Sequence, residues 1–190
     1  MRLLALSVLL LSLPVGATSP VELVRLDGQH VPLASLQRPV TVMLLWTSMC
    51  ADPAPQLRVF DALARHYAHD SRVGMFTVSV DNPKTPEDLA VIEEIVAPLK
   101  LSVPVTADQR FRLLGLVEGK DFDAAPPTEL RVPMVVVMRD GQTLHREGLS
   151  SAAQPAEIIA HYSKLVDAQL AKLPAQKTAK KKKAPPAAKR

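Results

Sequence analysis

Residues 40–45 (VTVMLL), running into Trp46, constrain this chain most. A continuous apolar run, half of it β-branched, is the pattern of a strand buried on both faces. Such a strand belongs at the centre of a sheet that helices cover on either side. The segments around it agree. Before it, Val21–Leu26 alternates in strand fashion, Asp27-Gly28 is a two-residue hairpin signal, Val31–Leu33 reads as the return strand and Ala34–Pro39 as a connector. After it, Leu57, Phe60, Leu63, Ala64 and Tyr67 fall on one face of a helix predicted over Pro53–His69.

The alternation continues. Val73–Val80 (VGMFTVSV) is a second central strand, ending at Asp81-Asn82-Pro83. Thr85-Pro86-Glu87-Asp88 starts a helix, with Thr85 as N-cap, Pro86 in the first turn and Asp88 closing a capping box; that helix runs to about Leu99. Val103–Thr106 is a short extended piece, Gln109–Leu116 a short helix, and Gly119–Glu129 a polar loop containing prolines. Met134–Met138 is an apolar strand turned by Asp140-Gly141 into Thr143–Glu147. A last helix, Pro155 to about Ala171, buries Ile158, Ile159, Tyr162 and Leu165. Strands alternating with helices and closing on an antiparallel hairpin predict an α/β domain. Its mixed central sheet is flanked by helices and preceded by an N-terminal β-hairpin.

Both ends read as something other than core. Arg2, the apolar run Leu3–Leu13 and Val15-Gly16-Ala17 form a signal peptide, residues 1–17, with cleavage expected after Ala17. The run is too short for a membrane anchor, so the expected location is periplasmic or secreted. Residues 172–190 are Lys-, Ala- and Pro-rich and include Lys180–Lys183; they carry too little apolar surface to offset ordering entropy and are expected to be a disordered basic tail. The domain is therefore residues 18–171. With Arg2 and the eight basic residues of the tail set aside, 14 basic residues face 19 acidic ones, a net charge of −5 rather than the chain's +4. A basic face for nucleic acid is not supported. The tail is suited to anionic envelope surfaces, or is simply solvated.

Cys50 is the single cysteine, placed after the central strand in LWTSMCADP and just before a helix. One thiol can attack a disulfide and form a mixed disulfide, but an outside thiol must then release it. It could also be oxidised by peroxide, or pack as a small hydrophobe.

Over roughly Val21–Leu165 the chain resembles the TlpA/ResA-like branch of the thioredoxin-like superfamily. Four stretches carry the resemblance in order: VELVRLDGQHVPLASLQRPVTVMLLW, LWTSMC, FTVSVDNP and RVPMVVVMRDGQTLHREG. It implies a thioredoxin-like fold, with Cys50 as the attacking cysteine of a C-x-x-C pair and Pro133, after Val132, as the cis-proline lying against it. The Val132 backbone would then pair with an extended substrate, with Trp46 as a packing and substrate-platform residue. The implied partners are protein disulfides or small thiols. No cofactor and no metal are implied.

The departures are as informative. Pro53 replaces the second cysteine, Met49 an aromatic residue and Gln56 a glutamate common in redox-active members, and the strand 40–45 holds no acid. Because Pro55 cannot donate inside a helix, the helix is expected to start at Pro53 with Asp52 as N-cap. Cys50 then lies outside the helix, beside an acid, with no Lys, Arg or His within six residues; this describes a weakly activated thiol. Three readings follow: thiol–disulfide exchange through Cys50 with an external resolving thiol, a redox-inactive binding module of the cell envelope, and a one-cysteine peroxiredoxin-like peroxidase. The third has Thr47-x-x-Cys50 in its favour, but Met43 stands where its motif has a proline. His66, His69 and Asp70 sit close enough for part of a metal site, yet lack further ligands and read as a solvated helix end.

Overall fold

A computed structural model describes residues 20–123, 125–149 and 153–174. The expected signal peptide, and the basic tail beyond Pro174, lie outside the described residues. Seven strands form one mixed sheet: β1 (Glu22–Arg25), β2 (His30–Pro32), β3 (Val40–Trp46), β4 (Val73–Ser79), β5 (Val105–Ala107), β6 (Met134–Arg139) and β7 (Gln142–Gly148), in the spatial order β2-β1-β5-β4-β3-β6-β7. β3, β4 and β5 are parallel; β6 runs antiparallel to β3, and the two hairpins form the edges. The central placing of β3 follows from its composition, since all seven of its residues are buried.

The helices are α1 (Leu33–Leu36), α2 (Ala54–Tyr67), α3 (Pro86–Val96), α4 (Arg112–Glu118) and α5 (Pro155–Leu170). The connectors β3-α2-β4 and β4-α3-β5 step the same way along the sheet, so right-handed crossovers put α2 and α3 on one face. There α2, α3 and α5 bury Val40, Val42, Leu44, Trp46, Val135 and Val137, while α1 and α4 cover Met43, Leu45, Phe76, Val78, Val136 and Met138 on the other. Parity along β3 and β6 thus divides one apolar run between two cores.

The turn and cap signals act as their chemistry requires. Asp140 and Gly141 both have positive φ (49° and 79°), the requirement of a two-residue hairpin whose twist matches its strands. Thr85 accepts the Asp88 N–H, and the Asp88 carboxylate accepts the Thr85 N–H at 3.0 Å. Two expectations shift. The helix read from Gln109 begins only at Arg112, because Arg110 and Phe111 are left-handed (φ 60° and 54°), and the buried Asp108 carboxylate caps α4 through the Leu113 and Leu114 N–H groups at 3.0 and 2.9 Å. On α5, Tyr162 and Val166 are buried, whereas Ile158, Ile159 and Leu165 are only partly so; Leu173 also packs on the core, two residues past the expected domain limit.

Candidate functional site

The parallel strands β3, β4 and β5 finish at one end of the sheet, and β6 begins there. Leu45 faces Met134 across β3 and β6, so Val132 and Pro133, just before Met134, stand at the same end as residues 46–50. The Val132–Pro133 peptide bond is cis. Both residues are half-buried, and the Pro133 carbonyl accepts the Leu149 N–H at 2.8 Å, which ties this segment to the end of β7.

Cys50 is a free, half-buried thiol in the loop between β3 and α2. Its N–H donates to the Thr47 carbonyl at 3.2 Å, closing a tight turn, and Met49 beside it is 77% exposed. Asp81, two residues past the end of β4, fastens that turn. The Thr47 hydroxyl donates to Asp81 Oδ1, the Ser48 N–H to Oδ2 at 2.9 Å, the Ser48 hydroxyl to Oδ1 at 3.0 Å and the Ser79 hydroxyl to Oδ2. Four donors nearly exhaust what one carboxylate accepts. In the sequence alone, Asp81 reads only as a strand end. The available signal was the Thr47-Ser48 pair before Cys50 together with an acid closing the parallel neighbour of β3.

The helix start follows its prolines. Pro53 already has helical angles (φ −80°, ψ −11°), and Asp52 Oδ1 accepts the Ala54 N–H at 3.1 Å, so both prolines fall where no helical N–H is needed. In the amide orientation that lets it donate, Gln56 reaches back to the Asp52 and Pro53 carbonyls at 3.0 and 3.3 Å and braces this first turn. Cys50 remains outside the helix.

Trp46 requires a correction. It has no exposed surface and packs into the core beneath α2 and α5, with no partner for its Nε1 among the described residues, so it is not a surface that touches substrate. The parity of β3 turns it inward with Val42 and Leu44. The pair His66 and His69 is exposed, and Asp70 is held by Arg72 at 2.6 Å, which leaves a solvated helix end.

A second carboxylate lies behind the loop. The Asp108 N–H donates to the Ser79 carbonyl at 2.8 Å, and its side chain is fully buried. Burial pushes this carboxyl up to about 6, against the backbone N–H groups of Leu113 and Leu114 and the charge of Arg112. Beside Pro133, an open cleft of about 840 Å³ runs between the 120–131 segment and the end of β7, lined by Phe122, Pro126, Glu129, Arg131, Met134 and Arg146 among others; Cys50 is not part of its lining.

No protein-family model and no curated protein matches the chain. Solved structures do. A secreted disulfide oxidoreductase of Mycobacterium tuberculosis homologous to E. coli DsbE superposes with a TM-score of 0.53 at 17% identity, over 75% of this chain and 94% of that one. StoA from Bacillus subtilis gives 0.51 at 16%, over 73% and 92%. The thioredoxin domain of a thiol-disulfide oxidoreductase from Bacteroides vulgatus gives 0.54 at 15%, over 82% and 99%. The fold is thioredoxin-like.

Proposed function

We propose that this chain is an exported thiol–disulfide exchange protein of the TlpA/ResA-like kind that works through Cys50 alone. The observation that carries this reading is a half-buried, free Cys50 on an anchored loop, at the same sheet end as the Val132–Pro133 segment. The Cys50 thiolate attacks one sulfur of a substrate disulfide and expels the other as a thiolate, leaving Cys50 in a mixed disulfide. An external thiolate then attacks the substrate sulfur of that bond, forms a new disulfide and returns Cys50 as thiolate. Pro53 prevents internal resolution. The Val132 backbone and the adjoining cleft are the surfaces suited to an extended peptide carrying the disulfide.

A peroxidase is less well supported, because the Thr47 hydroxyl is committed to Asp81 and Met43 is wholly buried. A redox-inactive binding module would use the same cleft without exchange at Cys50.

The test is capture. The protein is incubated with oxidised glutathione and with a disulfide-containing peptide, and the adduct is mapped by mass spectrometry. Adducts at Cys50 that external thiol removes, and that Cys50→Ser lacks, support exchange. Pro53→Cys then gains a modest disulfide-reductase activity. A Cys50 that reacts no faster than a free thiol and traps no peptide leaves the binding module as the better reading.

A further inference from the structure

Away from Cys50, two histidines and a glutamate meet where β7 packs on α5. His145 Nε2 and His161 Nε2 each lie 3.0 Å from the same oxygen of Glu147, and one ligand atom from each of the three residues falls within 4.8 Å of the others. All three side chains keep solvent access, at 35%, 48% and 50% exposed for His145, Glu147 and His161. We infer that this cluster is a binding site for a divalent first-row transition-metal ion, with zinc the best fit.

The chemistry selects the ion class. Two imidazoles and a carboxylate suit zinc, copper(II) or nickel(II), whereas calcium and magnesium seek cages of oxygen. Ligand atoms of a tetrahedral zinc ion lie about 3.4 Å apart, given bonds of about 2.1 Å. Two of the three edges here are already near that length, so only the two histidines must close on each other. Three protein ligands and open solvent positions make an exchangeable site rather than a closed structural one. The ion takes the Nε2 lone pair of each imidazole, which then carries its proton on Nδ1, and it replaces the two histidine–Glu147 contacts.

Local irregularity in β7 builds the site. Met138 pairs with Thr143 but Val137 pairs with His145, so Leu144 is an extra residue, a β-bulge. Directly paired residues share a sheet face. Val135 and Val137 face the core under α5, and their partners Glu147 and His145 therefore do too. Without the bulge His145 would pair with Val136 and point to the α4 side. From α5, the buried Tyr162 fixes the helix register and so presents His161. β7 is two strands from β3, about 10 Å across the sheet, which keeps the Cys50 thiol outside the coordination sphere.

The test is a zinc titration by calorimetry on the whole chain, freed of metal by chelation. One equivalent is expected to bind and to raise the melting temperature. His145→Ala, His161→Ala and Glu147→Gln are each expected to weaken binding more than tenfold; Glu147→Gln retains an acceptor for both imidazoles and so leaves the β7–α5 seam in place. The His66→Ala/His69→Ala double variant should bind as wild type does. Cobalt(II) should give the visible spectrum of nitrogen and oxygen ligation, without a thiolate band. No zinc binding, binding indifferent to the three cluster variants, binding lost with His66 and His69, or a cobalt–thiolate band would each overturn the proposal.

Discussion

Two loops border the end of the sheet that carries Cys50, and they are held in different ways. The Thr47–Cys50 turn is short, and four donors converge on one carboxylate behind it. The segment from Gly119 to Val132 is long and, among the described residues, is held mainly near its start. There the Lys120 N–H donates to the Gly115 carbonyl at 2.9 Å, the Phe122 ring meets Phe111 edge-on at 6.5 Å between centroids, and Asp123 pairs with Arg112 at 3.2 Å. Further on, the Glu129–Arg131 pair is an exposed contact of 3.5 Å. The contrast separates two tasks. Under the function proposed above, the first task is aiming a nucleophile, which calls for directional bonds to a rigid strand, and the second is meeting varied extended partners, which few fixed bonds suit better.

The largest test strikes the anchor. Asp81→Ala leaves the buried Thr47 and Ser79 hydroxyls and the Ser48 N–H without their acceptor, and is expected to cost about 4 kcal/mol. At about 2–4 °C per kcal/mol this is a fall of roughly 8–16 °C in melting temperature. Differential scanning calorimetry would show it, and a loss under 1 kcal/mol would mean that the turn holds itself.

The next is a pH dependence from the carboxylate beneath. Asp108 is raised in the folded chain, first by burial, to about 6 from an ordinary 3.8. The folded state thus holds a proton that the unfolded state releases. Its stabilising contribution is complete below about pH 4 and is lost as pH rises through about 6, a change of order 2–3 kcal/mol. Denaturant melts across that window, with an NMR titration of the Asp108 carboxyl, would check both sign and midpoint.

On the second loop, a Cβ at Gly115 would sit 2.6 Å from the Lys120 carbonyl oxygen, which is backbone and cannot swing away. Gly115→Ala should therefore cost about 2 kcal/mol by prising the start of this loop off α4, with little effect on alkylation of Cys50. The smallest effect is expected at Glu129→Ala or Arg131→Ala, within about 0.5 kcal/mol because the pair is exposed. If peptide capture shifts while stability does not, the division between aiming and recognition is sharpened.

Much of this architecture can be read from the chain before folding. The uninterrupted run at 40–45, the Asp-Gly turns and the Thr85–Asp88 cap are local signals, and local chemistry decides them. The positions of Cys50 and Pro133 were also legible, because they flank elements of that kind. What escaped depends on distant pairing. Asp81 acts on a turn some 33 residues away. Trp46 faces inward by a parity that only the completed sheet defines. The left-handed pair Arg110 and Phe111, neither of them a glycine, carries no turn signature, yet it sets the start of α4. His161 lies 14 residues from Glu147 and reaches it only when α5 lies back on β7.

That return of α5 has a consequence for how the molecule is held. The helix starts beside the end of β7 and runs away from it, and at its far end the Gln169 side-chain oxygen accepts from Arg139 at the close of β6, 3.1 Å away. Sixteen helical residues cover about 24 Å, so Pro174 emerges at the pole opposite Cys50. Residues 175–190, with their lysines, are joined there. Tethering the protein through its C-terminus, to a bead or a fusion partner, is thus attachment from the side away from the thiol, and should leave alkylation of Cys50 unchanged.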